Sequence, residues 1–169
     1  MPKIPIPTPV LSEIQRQLND ELSASYGYLA LSIWCENENF PGFADFFKKQ
    51  SGEETVHAEK FIKYLRDRGQ MAELTQVSVP KGEFANILEV AKHAQLMEQA
   101  NTAGINSVYK AALETGDYPS QVLLHWYINE QVEEEAWTDE MVDRTLRAGC
   151  AGALNSLDRH IEKYLGSPA

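Results

Sequence analysis

The chain has 169 residues, 43% of them apolar, with 25 acidic against 15 basic side chains and a net charge of −10. That is long enough for one domain with a real core. The acidic balance excludes a nucleic-acid footprint, and no run of about 18 apolar residues offers a membrane span. The start, Met-Pro-Lys-Ile-Pro-Ile-Pro-Thr-Pro, lacks the apolar stretch of a signal peptide, so a cytoplasmic protein is expected. Cys35 and Cys150 form no Cys-x-x-Cys and read as two reduced, buried thiols.

Residues 1–8 read as an extended arm and 9–169 as the folded domain. Thr8-Pro9 is a helix start, with Thr8 as the cap and Pro9 in the first turn. A helix over 9–38 follows, with the apolar stripe Leu11, Ile14, Leu18, Leu22, Leu29 and Ile33, and Pro41-Gly42 ends it. A second helix covers 42–68 and closes at Gly69. Periodicity is lost over 70–83. A third helix is expected over 84–115, on the stripe Phe84, Ile87, Ala91, Ala94, Ile105, Tyr109 and Ala112. Gly116-Asp117-Tyr118-Pro119 is a tight break before a fourth helix over 119–148, and a short fifth helix covers 153–165. The four long helices would each run roughly 40–45 Å at 1.5 Å per residue. Two short breaks make two antiparallel hairpins. The middle connection, at about 14 residues, can stretch roughly 45–50 Å. It reaches from one end of the bundle to the other, so helices two and three can run parallel. The fold class is all-α: a four-helix bundle with one long crossover and a short fifth C-terminal helix.

Function is most legible where acidic residues fall on apolar stripes. Glu54 and His57 are three apart, one turn apart on one helix face. At about 100° per residue, Phe43, Phe47, Phe61 and Leu65 all lie within roughly 20° of Glu54. Glu98 is central among Ile87, Ala91, Ile105 and Tyr109, and Glu134 among Leu123, Tyr127, Met141 and Thr145. In helix one, Glu21 and Tyr28 fall at the edge of the leucine stripe. Each glutamate lies near mid-helix, so all four can meet at one level. A lone ionised carboxylate in a core costs several kcal/mol or more, and four together repel unless cations join them. The oxygen-rich, single-imidazole set suits iron, manganese or zinc. Gln131, one turn before Glu134, hydrogen-bonds to the cluster, ligates weakly, or is an ordinary polar flank. Glu53, Glu130 and Glu133 form a second carboxylate set that could hold a further cation, or are plain surface charges. Tyr28 is either an electron donor beside the metals or a core tyrosine, and Trp126 carries the same two readings. His93, His125 and His160 read as structural.

With these residues placed, the chain resembles a bacterial-type non-haem ferritin, a member of the ferritin-like di-iron superfamily. The resemblance runs from about Leu11 to Leu165. It is carried by Leu-Asn-Asp-Glu21-Leu-Ser-Ala-Ser-Tyr-Gly-Tyr28, Glu53-Glu54-Thr-Val-His57-Ala-Glu-Lys, Glu98, and Trp126-Tyr-Ile-Asn-Glu130-Gln131-Val-Glu133-Glu134-Glu135. It implies ferroxidase chemistry: Fe(II) oxidised to Fe(III) by dioxygen or peroxide at a di-iron centre, and ferric mineral stored inside a homo-oligomeric shell of 24 subunits. By the same resemblance, Glu21, Glu54 and His57 take the first iron, with Glu54 bridging. Glu98 and Glu134 take the second, with Gln131 close by. Glu53, Glu130 and Glu133 correspond to a third iron site, and Tyr28 to the tyrosine beside the centre. Glu134 is followed three residues later by Trp137, not by the second histidine of bacterioferritins, and Thr55-Val56 stand where those proteins carry a haem-binding methionine, so no haem is expected. The alternatives are a non-storage di-iron oxidase or peroxide scavenger in the same bundle, and a metal-free bundle that binds a protein partner.

Overall fold

The computed structural model describes residues 4–166. The helices are α1 (Thr8–Asn37), α2 (Pro41–Asp67), α3 (Ile87–Thr115), α4 (Tyr118–Arg147), α5 (Ala151–Arg159) and α6 (Ile161–Leu165), and no strand occurs among the described residues. None of the helices is long and apolar enough to cross a membrane. Of the expected N-terminal arm, residues 1–3 lie outside the described part. Residues 4–7 are non-helical, with Ile6 buried.

Helix directions follow from which residues meet. Ser32 Oγ donates to Ala44 O, and Ser25 Oγ to Ser51 O, so α1 and α2 are antiparallel. Arg16 meets Gly104 while Tyr28 meets Glu98, so α1 and α3 are antiparallel as well. Gln95–Asp139 and Tyr109–His125 give the same relation for α3 and α4. Hence α2 and α3 run parallel, and residues 68–86 make the crossover. That segment is pinned to α1: Asn19 Nδ2 donates to Glu73 O and its Oδ1 accepts from Thr75 N, while Gln15 Nε2 donates to Met71 O.

The helix ends are chemically defined. Gly69 and Gly116 take the left-handed backbone (φ 79° and 67°) that ends α2 and α3. Gln70 N returns to Leu65 O at 2.8 Å, closing the α2 terminus. α3 begins at Ile87, three residues later than expected, because Asn86 Oδ1 accepts from Glu89 N and Glu89 Oε2 accepts from Ala85 N. Phe84 therefore stays outside the helix, edge-on to Trp34. At the other end of the chain, Thr8 is not the cap of α1. Pro7 holds that place and no side chain caps the helix. The expected fifth helix is two, broken at His160 (φ −123°, ψ 15°).

The core is divided. One apolar cluster holds Leu31, Cys35, Phe43, Phe46, Phe47, Val90, Ala94 and Met141. The other holds Ile14, Leu18, Phe61, Leu65, Ile105, Val108 and Leu124. In each long helix the central glutamate lies in sequence between these two sets, which places the acidic side chains as a layer between two dry halves. Cys35 is fully buried, as expected, but Cys150 is exposed at the start of α5.

The α1 stripe read from the leucines is out of phase beyond Leu22: Leu29 and Ile33 are exposed. The buried seam is Ile14, Gln17, Glu21, Ala24, Tyr28, Leu31 and Cys35, a strict alternation of three- and four-residue steps. Glu21 and Tyr28 are therefore central in the core, not at its edge.

Candidate metal centre

Glu21, Glu54, His57, Glu98 and Glu134 converge from the four long helices, at 1%, 1%, 2%, 0% and 6% exposure. Each helix supplies its glutamate from its buried seam, where apolar residues are joined by the buried polar side chains Gln17, Gln50, His57 and Gln131. Two overlapping groups result, Glu21/Glu54/His57 and Glu54/Glu98/Glu134, in each of which one ligand atom per residue lies within 4.8 Å of the others. Glu54 belongs to both. A third group, His57/Glu130/Glu134, extends the layer sideways through half-buried Glu130.

The hydrogen bonds are unevenly shared. Gln17 Nε2 donates to Glu21 Oε1 at 2.9 Å. Gln50 Nε2 donates to Glu134 Oε2 at 2.7 Å and lies 3.4 Å from Glu54 Oε1. The Tyr28 hydroxyl donates to Glu98 Oε1, and Gln131 Nε2 to Glu98 Oε2 at 3.2 Å and Thr102 Oγ1 at 3.1 Å. Tyr127 donates its hydroxyl proton to His57 O at 2.7 Å, which fixes that turn of α2. Against this, Oε2 of Glu21 and Oε2 of Glu54 are buried and have no hydrogen-bond partner. His57 Nδ1 stands 3.8 Å from the first and 3.4 Å from the second, too far for good hydrogen bonds. Two orphaned carboxylate oxygens and an imidazole nitrogen gathered in a dry layer are an electron-rich donor set, spaced closely enough to share a cation.

The ionisation energetics carry the same strain. Burial pushes Glu98 up to about 8, and the charge of Glu134 adds to it, against the stabilising bonds from Tyr28 and Gln131. Burial also raises Glu54 well above the usual carboxylate range, helped by Glu98 and Glu21 and opposed by His57. Glu134 is raised, again chiefly by burial. For His57, burial works to lower the pKa, but Glu21 and Glu54 outweigh it and push it up to about 11. Metal-free, burial first and mutual repulsion after it favour the protonated forms of Glu54, Glu98 and Glu134. A divalent cation would replace those protons and let the carboxylates ionise where they stand.

The ferritin-like domain family matches residues 11–148. The chain belongs to that family. A bacterial non-heme ferritin of Staphylococcus aureus is 36% identical over 140 residues, 83% of this chain and 84% of its own length. That of Staphylococcus epidermidis is 34% identical over the same shares. Among solved structures, the open-pore ferritin of the hyperthermophilic archaeon Archaeoglobus fulgidus superposes with a TM-score of 0.90 at 29% identity, covering 92% of this chain and 97% of that one. An engineered closed form of the same archaeal ferritin gives 0.90 at 29% identity, with 92% and 96% covered.

In this ferritin-like chain the remaining sequence candidates fall around the central layer. Gln131 is buried against Glu98, as a hydrogen-bond donor. Glu130 and Glu133 line an opening of about 290 Å³, bounded also by Phe46, Gln50, Glu134 and Trp137, that leads to Glu134 from outside. Glu133 is exposed, and Glu53 is half-buried near His57 and Glu130, its pKa raised first by burial. Trp126 packs edge-on to His57 with ring centroids 5.3 Å apart, and Lys60 Nζ lies 3.4 Å from its ring centroid. Three contact residues escaped the sequence reading: Gln17, Gln50 and Trp137. Each stands one helical turn from a central glutamate, at the spacing that brings side chains together.

Proposed function

We propose that the chain is an iron-storage protein with ferroxidase activity. The observation that carries it is the layer of four buried carboxylates and one histidine, closed off by two apolar halves, with oxygens of Glu21 and Glu54 left unpartnered. Fe(II) enters as substrate. One ion is taken by Glu21, Glu54 and His57, and a second by Glu98 and Glu134, with Glu54 shared between them. Hard oxygen donors favour Fe(III) over Fe(II), so the ligand set itself drives oxidation. Two Fe(II) give one electron each to dioxygen, which takes up two protons and leaves as hydrogen peroxide. Peroxide as oxidant takes the same two electrons and two protons and leaves as two waters. The dry surroundings keep these products from side reactions.

Gln131 orients Glu98 and sits beside the second ion. Glu130, with Glu53 and Glu133 behind it, receives a third cation as ions pass along the acid-lined opening. Tyr28, bonded to Glu98, is the side chain placed to supply an electron when the irons do not meet the oxidant's demand. Ferric mineral accumulates inside a shell of 24 copies of this chain, a reading supported by the fold shared with the archaeal ferritin and the sequence shared with the staphylococcal ones.

Anaerobic Fe(II) titration tests the site, with about two ions per chain expected. Iron loading far beyond that number, in a particle of shell mass by size-exclusion, tests storage. Oxidation without such loading would favour a plain di-iron oxidase. No uptake at all would leave a metal-free bundle.

A further inference from the structure

Glu134 is held unlike its neighbours. Its Oε2 accepts two N–H bonds, from Gln50 Nε2 at 2.7 Å and from the indole Nε1 of Trp137. Neither donor is loose. Gln50 is 1% exposed. The Trp137 ring packs edge-on against Phe46 at 5.0 Å between centroids and tilted against Tyr28 at 6.2 Å. Both side chains stand in the wall between the central layer and the acid-lined opening, where Glu130, Glu133 and Glu140 also face.

A carboxylate oxygen has about two lone-pair directions. With two N–H donors in place, Oε2 has none to spare, and Glu134 has only Oε1 left to give. In the Glu21/Glu54/His57 group the opposite holds, since two oxygens there are free. We propose that Gln50 and Trp137 are positioning residues that make Glu134 a one-oxygen ligand, and so set the strength of the Glu54/Glu98/Glu134 ion position separately from the one at His57. This rests on the ion-binding reading given above. Removing a donor frees Glu134 to turn towards the opening, and losing an outer partner of a ligand commonly weakens metal binding by about 10–100-fold.

The two-position layout makes the claim separable from a general loss of structure. Trp137→Phe keeps the aromatic packing and deletes only the N–H. Gln50→Leu keeps the volume and deletes the other donor, though it also touches Glu54. The probe is Co(II), which does not oxidise under the conditions used, followed anaerobically by calorimetry and by its visible spectrum. His57→Ala identifies which binding step belongs to the histidine position. For Trp137→Phe, the all-carboxylate step should weaken about 10–100-fold while the histidine step stays within about twofold. Gln50→Leu should move the all-carboxylate step in the same direction. Both steps moving equally in Trp137→Phe would mean mere structural disturbance and overturn the proposal, as would no change in either. A parent chain that binds no Co(II) would instead overturn the ion-binding reading itself, and this inference with it.

Discussion

Replacing Glu98 by glutamine exposes the conflict between stability and function in the acidic layer. The Glu98 carboxyl is raised from 4.5 to about 8, first by burial and then by Glu134. A carboxyl raised on folding contributes stability below its unfolded pKa and loses it as pH climbs towards the folded value. Between pH 5 and pH 7 the unfolded carboxyl ionises while the folded one keeps its proton. At roughly 1.4 kcal/mol per pH unit over about two units, the metal-free fold loses about 2–3 kcal/mol through this one group. His57 acts in the same direction: raised to about 11, its contribution is full below 6.5 and fades as pH rises. Glu98→Gln keeps the shape and an oxygen for the Tyr28 hydroxyl, but cannot ionise. Urea denaturation of the metal-stripped protein, at fixed concentration, should show the variant losing about 2–3 kcal/mol less than the parent between pH 5 and pH 7. Zn(II) should then stabilise the parent more than the variant. Parallel pH slopes would refute the claim that Glu98 is held protonated at the expense of the metal-free fold.

Glu54→Ala or His57→Ala should slow the initial oxidation of Fe(II) by on the order of 100-fold or more, with the helical circular-dichroism signal retained; unaltered stopped-flow traces would defeat the site assignment. Tyr28→Phe removes the hydroxyl that donates to Glu98 and should change the rate or the iron-to-oxidant stoichiometry, whereas superimposable progress curves would reduce Tyr28 to packing. Arg68→Ala should be a pure stability lesion. Its Nη2 lies 3.0 Å from Asp117 Oδ1, and the Asp117 side chain is only 3% exposed. Losing one partner of a buried pair costs about 3 kcal/mol, so the melting temperature should fall while oxidation per folded chain stays the same.

Much of this architecture was legible in the chain because helix ends and apolar periodicity are local. Glu54, Glu98 and Glu134 stood out since each sits among phenylalanines, isoleucines or tyrosine at helical spacing. Glu21 and Tyr28 did not, because the buried seam of α1 passes through Gln17, Glu21 and Ala24, while Leu11, Leu22 and Leu29 lie beside it. Leu29 and Ile33 are exposed on this chain, so hydrophobicity alone gave the wrong phase. The start of α3 was misplaced because Phe84 extends the apolar rhythm past the real cap at Asn86. The break at His160 carries no proline or glycine to announce it. Gln50 and Trp137 were overlooked for another reason: their role comes from the partner helix they meet, and only the three-dimensional arrangement shows that both reach one oxygen of Glu134.

The central claim is that these inward carboxylates exist to hold metal. An anomalous-scattering map at the iron edge, from crystals soaked anaerobically in Fe(II), tests it most directly. The account predicts two peaks per chain, one between Glu21, Glu54 and His57 and one between Glu54, Glu98 and Glu134. Iron density confined to surface carboxylates, with that layer empty, would contradict it.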